Sequence, residues 1–235
     1  PGTPFAAFVS NNVANSTIDV VVTGGPASLI WRGFAGGTPN STWDILTTLN
    51  WVTFVGAPTT YPDGSFVQFD DTSSNNVVTL AQDVSPAGTT LTNNSLTYTI
   101  NGAFKIGGSG SLTKRGSATA ILDNSGANDF SGGVFINSGT LQIGNNDSGG
   151  SLPASGNLVD NGTLAFNRSD VLAVANVISG TGGVAQNGSG TLNLSGANTF
   201  NGPVVVASAA TLQLGSGQAL GTTNSGANIN SGGTL

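Results

Sequence analysis

The sequence of 235 residues contains no cysteine, no histidine and no methionine, and only 7% of its residues are charged. Without cysteine the fold has neither disulfides nor thiolate metal ligands, so packing and hydrogen bonds alone must hold it together. Without histidine or cysteine, Ser-His and Cys-His nucleophilic catalysis is excluded. Ordinary globular proteins carry roughly 25% charged residues, so solubility here has to come from asparagine, serine and threonine.

The few charges are mostly negative. All eleven acidic residues are aspartates, the net charge is -6, and the bases are Arg32, Lys105, Lys114, Arg115 and Arg168. A nucleic-acid footprint needs a basic patch, and only Lys114 and Arg115 are adjacent, which argues against such a partner. No run approaches the ~18 apolar residues of a membrane span. Because no signal peptide or initiator methionine is present, we expect a processed product or a fragment.

One sequence motif occurs twice in the second half of the chain. The first copy occupies residues 110–116 and 125–144, and the second occupies residues 183–215. Phe130 of the first copy matches Phe200 of the second, and Leu141 matches Leu212. The chain therefore contains a true internal repeat.

A shorter period lies within the long one, because the triplet Gly/Ala-Thr-Leu begins at positions 139, 162, 190, 210 and 233. A recurrence of roughly 20 to 28 residues is typical of a solenoid with one coil per unit. Around the triplets apolar and polar residues alternate, as a strand requires, and glycine interrupts every helical window. We therefore expect the apolar residues of successive triplets to stack directly over one another in a single column.

These residues resemble a known family. Leu112-Thr113-Lys114, the segment Gly-Ser-Gly-Thr-Leu-Asn-Leu-Ser-Gly-Ala-Asn-Thr-Phe at 188–200 and Gly-Thr-Leu-Gln-Ile-Gly at 139–144 are similar to the passenger-associated, or autotransporter-associated, β-strand repeat of secreted bacterial surface proteins. The resemblance covers residues 107–235. It implies an all-β fold, a right-handed parallel β-helix (β-solenoid), and a location outside the cell or on the bacterial surface.

Three regions are predicted. Residues 1–26 form an N-terminal strand-containing arm outside the repeat, which either caps the first coil or docks on another copy of the chain. Residues 27–106 form a Trp-rich lead-in region followed by irregular coils. Residues 107–235 form the repeat solenoid, with two repeats of about 71 residues of which the second is incomplete.

All three tryptophans, Trp31, Trp43 and Trp51, fall in the lead-in region. Tryptophans next to Phe and Val are usually buried, which predicts a hydrophobic cap at the start of the stack. Exposed Trp faces would instead form a platform for a glycan.

The sequence predicts no catalytic residue, no cofactor and no metal site, and we interpret the chain as a non-enzyme. A glycosidase or a β-helix polysaccharide lyase would need Asp63, Asp70 or Asp71 near Arg32 or Lys105. The same three aspartates could supply oxygen ligands to Ca²⁺, but the glycine-rich nonapeptide of calcium-binding β-rolls is absent.

The predicted function is therefore structural. Each added coil extends a buried apolar column, which suits the rigid stalk or fibre scaffold of a secreted or cell-surface protein. The alternative is an adhesin or glycan-binding passenger domain, with surface glycans as partner. Because an uncapped coil exposes unpaired backbone groups, we also expect copies of the chain to join end to end into a filament. The residues predicted to carry this self-association are Phe5, Phe8, Val9, Ile18, Val20, Val22, Thr234 and Leu235.

Overall fold

The computed structural model describes residues 6–12, 17–24, 26–222 and 227–235, with only the backbone described before residue 26. The described residues form strands, turns and irregular segments, and none of them belongs to a helix. The all-β prediction is confirmed.

Two strands precede the lead-in region, namely β1 (Ala6–Asn12) and β2 (Thr17–Gly24). The next seven strands are β3 (Ser28–Trp31), β4 (Phe34–Ala35), β5 (Thr38–Pro39), β6 (Thr42–Trp43), β7 (Trp51–Thr53), β8 (Pro58–Thr59) and β9 (Phe66–Phe69). The following eight are β10 (Val77–Leu80), β11 (Gly88–Leu91), β12 (Tyr98–Gly102), β13 (Ser111–Lys114), β14 (Thr119–Leu122), β15 (Val134–Ile136), β16 (Thr140–Asp147) and β17 (Leu158–Asp160). The last eight are β18 (Thr163–Arg168), β19 (Val171–Val174), β20 (Ile178–Ser179), β21 (Gly183–Gln186), β22 (Thr191–Leu194), β23 (Val204–Val206), β24 (Thr211–Leu214) and β25 (Ala227–Ile229).

Three sheets of mainly parallel strands form the sides of one solenoid. Sheet A has nine strands in the order β6-β10-β12-β14-β16-β18-β21-β23-β25, and sheet B has nine in the order β8-β7-β3-β9-β11-β13-β15-β17-β20. Sheet C has three, β19-β22-β24. Parallel neighbours in successive coils need a full turn of chain between them, so each parallel strand of a sheet belongs to a different coil. Strands about 4.8 Å apart give sheet A a length of about 38 Å. The predicted parallel β-solenoid is confirmed.

The coils are short, and their lengths differ by a few residues. In sheet A, Thr119 pairs with Thr140, Thr140 with Thr163, and Thr163 with Gly183. Each coil therefore takes roughly 20 residues, and residues that face the core stack in rows along the axis. One such row of buried side chains is Val78, Ile100, Leu122, Ile143, Phe166, Gln186 and Val206.

The Gly/Ala-Thr-Leu triplets do not stack in one column, which corrects the expectation from their spacing. Thr140 and Thr163 pair in sheet A, whereas Thr211 pairs with Thr191 in sheet C and with Thr234 in a single bridge beside that sheet. The longer gap between the second and third triplets explains the change. One coil after Thr163 the chain is back in sheet A at Gly183, and residues 184–190 then carry it to the next side of the solenoid.

The two repeat copies consequently use different sides of the solenoid. In the first copy, residues 119–122 lie in sheet A and residues 134–136 in sheet B. The matching residues 191–194 and 204–206 lie in sheets C and A. Three coils take Thr119 to Gly183, and Thr191 lies one side further on. A residue of the second copy therefore lies on the side of the solenoid next to the side that its equivalent occupies in the first copy.

The lead-in region closes the first coil with antiparallel strands. Strand β7 is antiparallel to both of its neighbours, β3 and β8, in contrast to the rest of sheet B. The outermost strand has only two residues and begins with Pro58, which cannot donate a ladder hydrogen bond. On sheet A the edge strand β6 also has two residues, and the buried Asn50 donates to the carbonyl of Thr42 at 2.7 Å. Both edges are thus poor templates for another strand.

Beneath these strands lies an aromatic cluster, formed by Trp31, Trp43, Trp51, Tyr61 and Phe69. Trp51 is central, with ring centroids 5.0 Å from Trp31 and 5.3 Å from Trp43 in edge-on geometry. The Trp31 indole N–H donates to the carbonyl of Asn75 at 2.7 Å. The tryptophans therefore fill the start of the core, as predicted for a hydrophobic cap.

The arm contains a hairpin of β1 and β2, which pair antiparallel with each other and with no other described strand. Val9 pairs with Val20, and Asn11 pairs with Ile18. Ala27, three residues after the end of β2, accepts a hydrogen bond from the Phe66 backbone N–H at 2.7 Å. This contact fixes where the arm joins the solenoid.

Candidate functional site

A glycan platform of exposed tryptophans is wrong for this chain. All three indole rings are completely or almost completely buried against one another and against Phe69. A sugar ring would need one of these faces to be open to solvent. The lead-in region stabilises the fold and offers no aromatic stacking surface through its tryptophans.

The aspartates considered for catalysis or Ca²⁺ binding have separate structural partners. Asp63 accepts hydrogen bonds from the Tyr61 hydroxyl and from the Ser85 N–H, both at 2.8 Å. Asp71 accepts from the backbone N–H groups of Asn94, Ser95 and Leu96, which lowers its pKa.

Asp70 forms an ion pair with Arg32 at 3.4 Å. Of the acid–base pairs that the lyase alternative requires, the described structure forms this one. Lys105 binds Asp129 instead, at 2.6 Å. No group of three acidic, histidine or cysteine side chains within the described ranges is placed to hold a metal ion. The geometry thus gives the lyase and calcium alternatives no assembled site.

The residues predicted to carry self-association fall into two groups. Phe5 lies outside the described residues. The β1–β2 hairpin, of which only the backbone is described, contains Phe8, Val9, Ile18, Val20 and Val22. Thr234 pairs with Thr211 in a single bridge beside sheet C, and Leu235 is exposed. Their role in self-association stays a prediction.

Two buried asparagines tie neighbouring coils together. The Asn198 Oδ1 accepts from the Ile178 N–H at 2.8 Å, and its Nδ2 donates to the Ala219 carbonyl at 2.7 Å. Ile178 and Ala219 lie in the coils before and after Asn198, so one amide joins three coils. Asn128, the matching residue of the first copy, makes the same two bonds, to Ile106 and Ser151, both at 2.9 Å. The repeated Ser-Gly-Ala-Asn motif therefore supplies a hydrogen-bonded tie between coils.

Lys114 is buried at a corner of the solenoid. Its Nζ donates to the carbonyls of Arg115 at 2.6 Å and Gly116 at 2.8 Å, and burial lowers its pKa to about 8. The matching residue of the second copy is Gln186, whose Nε2 donates to the carbonyls of Gly188 and Gly190. The neutral amide of Gln186 thus donates hydrogen bonds to carbonyls of the following turn, as the ammonium group of Lys114 does in the first copy.

Replacing Lys114 with glutamine is expected to stabilise the protein by about 1 to 3 kcal/mol at pH 7, because the buried charge is removed while corner carbonyls keep a donor. A base with a lowered pKa in the folded state makes stability rise between pH 8 and the unfolded value of 10.5. The variant should lack that rise. Urea denaturation at pH 7 and at pH 10 measures both effects, and a destabilised variant would contradict them.

Asp160 is a second buried charge in the same row of sheet B as Lys114, with Ile136 between them. Its Oδ1 accepts from the Gly162 N–H at 2.9 Å, whereas Oδ2 is buried without a hydrogen-bond partner. Burial raises the pKa of this carboxyl to about 6. Lys114, Asp160 and Gln186 share one signal in the sequence, since each lies two residues after a buried Leu or Val and hence on the inner side of its strand.

The Asp160→Asn variant is expected to be more stable than the wild type above pH 6, by up to about 3 kcal/mol, and equally stable near pH 4. A carboxyl with a raised pKa binds its proton more tightly in the folded state, so stability falls as the pH rises from 3.8 to about 6. Denaturation midpoints from pH 4 to pH 8 test this difference. Asp129→Asn, at an exposed carboxyl, is the control, and parallel profiles for wild type and Asp160→Asn would refute the assignment.

A third charged group lies at the carboxyl ends of the neighbouring strands β16 and β18 in sheet A. Arg168 makes a two-point ion pair with Asp170, at 2.8 and 2.7 Å, and also donates to the Gly149 carbonyl at 2.9 Å. Burial, together with the nearby charge of Asp147, raises the pKa of Asp123 to about 6. The group lies at residues 145–148, where β16 ends and Asp147 pairs with Arg168. Sequence reasoning missed it because its members belong to different coils.

Two segments of the chain, residues 112–143 and 184–214, match the family model of the passenger-associated-transport-repeat (PATR). They coincide with the two copies that occupy different sides of the solenoid. The chain carries two PATR repeats. The predicted resemblance to autotransporter passenger repeats is therefore confirmed, and the inter-coil asparagines and the Lys114 and Gln186 corners lie inside the PATR segments.

One curated relative extends the PATR match. Over 127 residues, 52% of this chain, the sequence is 42% identical to the adhesin BmaC autotransporter of Brucella suis biovar 1 (strain 1330). The matched part is 4% of the length of that relative. No solved structure gives a significant match to the chain. Among the described residues, no helix has the length and apolar character to cross a bilayer.

Proposed function

We propose that this PATR-containing chain is a non-catalytic, rigid stalk segment of a bacterial surface protein, exported as part of an autotransporter passenger. The observation that carries the proposal is the unbroken stack of parallel coils with one continuous core. In such a stack each coil contacts only its neighbours, so length can be added without a new fold. The name of the similar Brucella protein, an adhesin autotransporter, supports a place at the cell surface.

The electrostatic character of the chain supports a spacer. Arg32, Lys105 and Arg168 are in ion pairs with aspartates, and Lys114 is buried. Since only 7% of the residues are charged, the described side surface is largely uncharged and polar. Acids and a base come together where Arg168 lies near Asp123, Asp147 and Asp170. Such a surface keeps a rod soluble.

The test is a deletion of one coil. Removing residues 184–203 joins Gly183 to Val204, the partner of Val184 in the next coil, and so preserves the register. The shortened chain is expected to unfold cooperatively with an unchanged β-sheet circular dichroism spectrum. Removing residues 184–193 as a control joins strands from different sides and is expected to lose the fold. If both deletions unfold the chain, the modular stalk is wrong.

An adhesin is the second candidate, favoured by the name of the relative. The intact chain is to be titrated on immobilised glycans and extracellular-matrix proteins. A stalk gives no saturable binding. Saturable binding that is abolished by substitutions at outward positions, while the fold is retained, would establish the adhesin in its place.

A third possibility is that copies of the stalk associate end to end into a filament. It is supported by the exposed apolar side chains Leu214, Ile229 and Leu235 beside the last described strands. The blunted edges β6 and β8 oppose direct stacking at the other end, so residues 1–26 would have to provide the contact. Electron microscopy of the intact chain and of a variant lacking residues 1–26 decides the matter: filaments of equal abundance, or none from either, would refute the hypothesis.

A further inference from the structure

The outer surface of sheet B carries an apolar groove at its first coils. Its apolar rim consists of Ile30, Phe54 and Phe66, which we call the lead-in patch, and Gln68 and Thr90 lie on the polar side. The groove has a volume of about 110 Å³. Phe54 is 84% exposed and Phe66 is 49% exposed. Two exposed aromatic residues that line one groove offer an apolar contact surface to another element.

The arm joins the solenoid beside this groove. Ala27 accepts the hydrogen bond of the Phe66 N–H, and Ser28 is the register partner of Phe66. Strand β2 ends at Gly24, three residues before Ala27. Three residues span at most about 11 Å, so the end of the hairpin is restricted to the neighbourhood of the lead-in patch.

The sequence of the hairpin gives it an apolar face that needs a partner. In β2, Ile18, Val20 and Val22 alternate with other residues, and the register pairs Val20 with Val9 and Val22 with Ala7. Because strand residues alternate between faces, these five residues share one face of the ladder with Asn11, the partner of Ile18, whereas Phe8 and Val21 share the other face. A hairpin of two strands is marginally stable by itself and needs a further layer to pack on.

We propose that the β1–β2 hairpin docks in cis on the lead-in patch, with its Val9, Val20 and Val22 face over Phe54 and Phe66. A connection of three residues holds the hairpin at a high effective concentration next to its own patch, which favours this chain over a second copy. The docked hairpin adds a layer over the first coils of sheet B and shields the aromatic cluster beneath them. The arm is then a cap of its own solenoid.

The test is hydrogen exchange, followed by mass spectrometry, on the intact chain. In the wild type the β1 and β2 amides are expected to exchange at least about tenfold more slowly than in the Phe54→Ser/Phe66→Ser double variant, since an undocked hairpin opens readily. Phe54→Ser alone tests the more exposed ring with the least risk to folding. Phe104→Ser, at another exposed phenylalanine outside the groove, is the matched control and should leave hairpin exchange unchanged.

Two outcomes would overturn the proposal. Hairpin amides that exchange equally fast in wild type and double variant, while sheet amides stay protected in both, show that the patch does not hold the hairpin. Protection that grows with protein concentration and accompanies a dimer in light scattering shows that the hairpin docks on a second copy. Protection that is independent of concentration and is lost in the double variant supports docking in cis.

Discussion

Replacement of Trp51 with alanine is expected to lower the free energy of unfolding by about 3 to 5 kcal/mol, the range for removing a buried aromatic side chain. The ring is buried and makes contact with four others, Trp31, Trp43, Tyr61 and Phe69, at centroid distances of 5.0, 5.3, 5.7 and 5.5 Å. Its loss leaves a cavity among rigid rings that cannot collapse easily. Urea denaturation followed by far-ultraviolet circular dichroism measures the change, because the fluorescence itself is altered by the substitution.

The control for Trp51→Ala is Val55→Ala, close by in the chain and at a side chain that is 89% exposed. That change should cost less than about 0.5 kcal/mol, as surface substitutions usually do. If Trp51→Ala costs less than about 1 kcal/mol, the lead-in region is not a structural cap. Since the first coil has no earlier coil to pack on, we also expect the loss to open the lead-in end before the PATR coils, which hydrogen exchange resolves by region.

Replacement of Asn198 with alanine is expected to cost about 2 to 6 kcal/mol, because it leaves two buried backbone groups without partners, each worth about 1 to 3 kcal/mol. These groups are the Ile178 N–H and the Ala219 carbonyl, which lie in different coils. A side chain that only filled space would cost less when trimmed by so few atoms. Thermal and urea denaturation of the variant measure the loss.

Asn128→Ala supplies a matched test of the same tie on another side of the solenoid. Its bonds to Ile106 and Ser151 repeat those of Asn198, so a loss of similar size is expected, increased by the separate pairing of Asn128 with Asn124. Asn187→Ala, at an exposed asparagine of the second copy, should change stability by less than about 0.5 kcal/mol. Equal effects for Asn187 and Asn198 would show that burial of the amide is not what matters.

The repeats could be found from the sequence, but their placement around the axis could not. The side that a residue occupies follows from the sum of all coil lengths before it, and these lengths vary because the turns differ. Three coils from Thr119 end at Gly183, whereas Thr191, the residue that matches Thr119 in the second copy, lies further along the chain. That small excess moves the second copy to the next side. The spacing between two motifs therefore gives the length of a coil only when both motifs lie on the same side of the solenoid.

The buried charges show a different limit. Alternation with Leu112 and Leu158 places Lys114 and Asp160 on the inner side of their strands, so the signal was present in the sequence. Charged residues are rarely buried, so sequence reasoning would place Lys114 and Asp160 at the surface. Only the positions of the corner carbonyls around Lys114 and the N–H of Gly162 beside Asp160 show how these charges are accommodated.

The sequence by itself determined the class of the fold: alternation with a period of two gives strands, glycine at the corners prevents helices, and a motif that recurs once per coil gives a parallel stack. It also determined that the tryptophans would be buried, since they have apolar neighbours. The tertiary structure alone decided which side of the solenoid each repeat occupies, which asparagine joins which coils and which carboxyls meet around Arg168. These are contacts between residues a full coil or more apart, and they depend on turn lengths that no local pattern encodes.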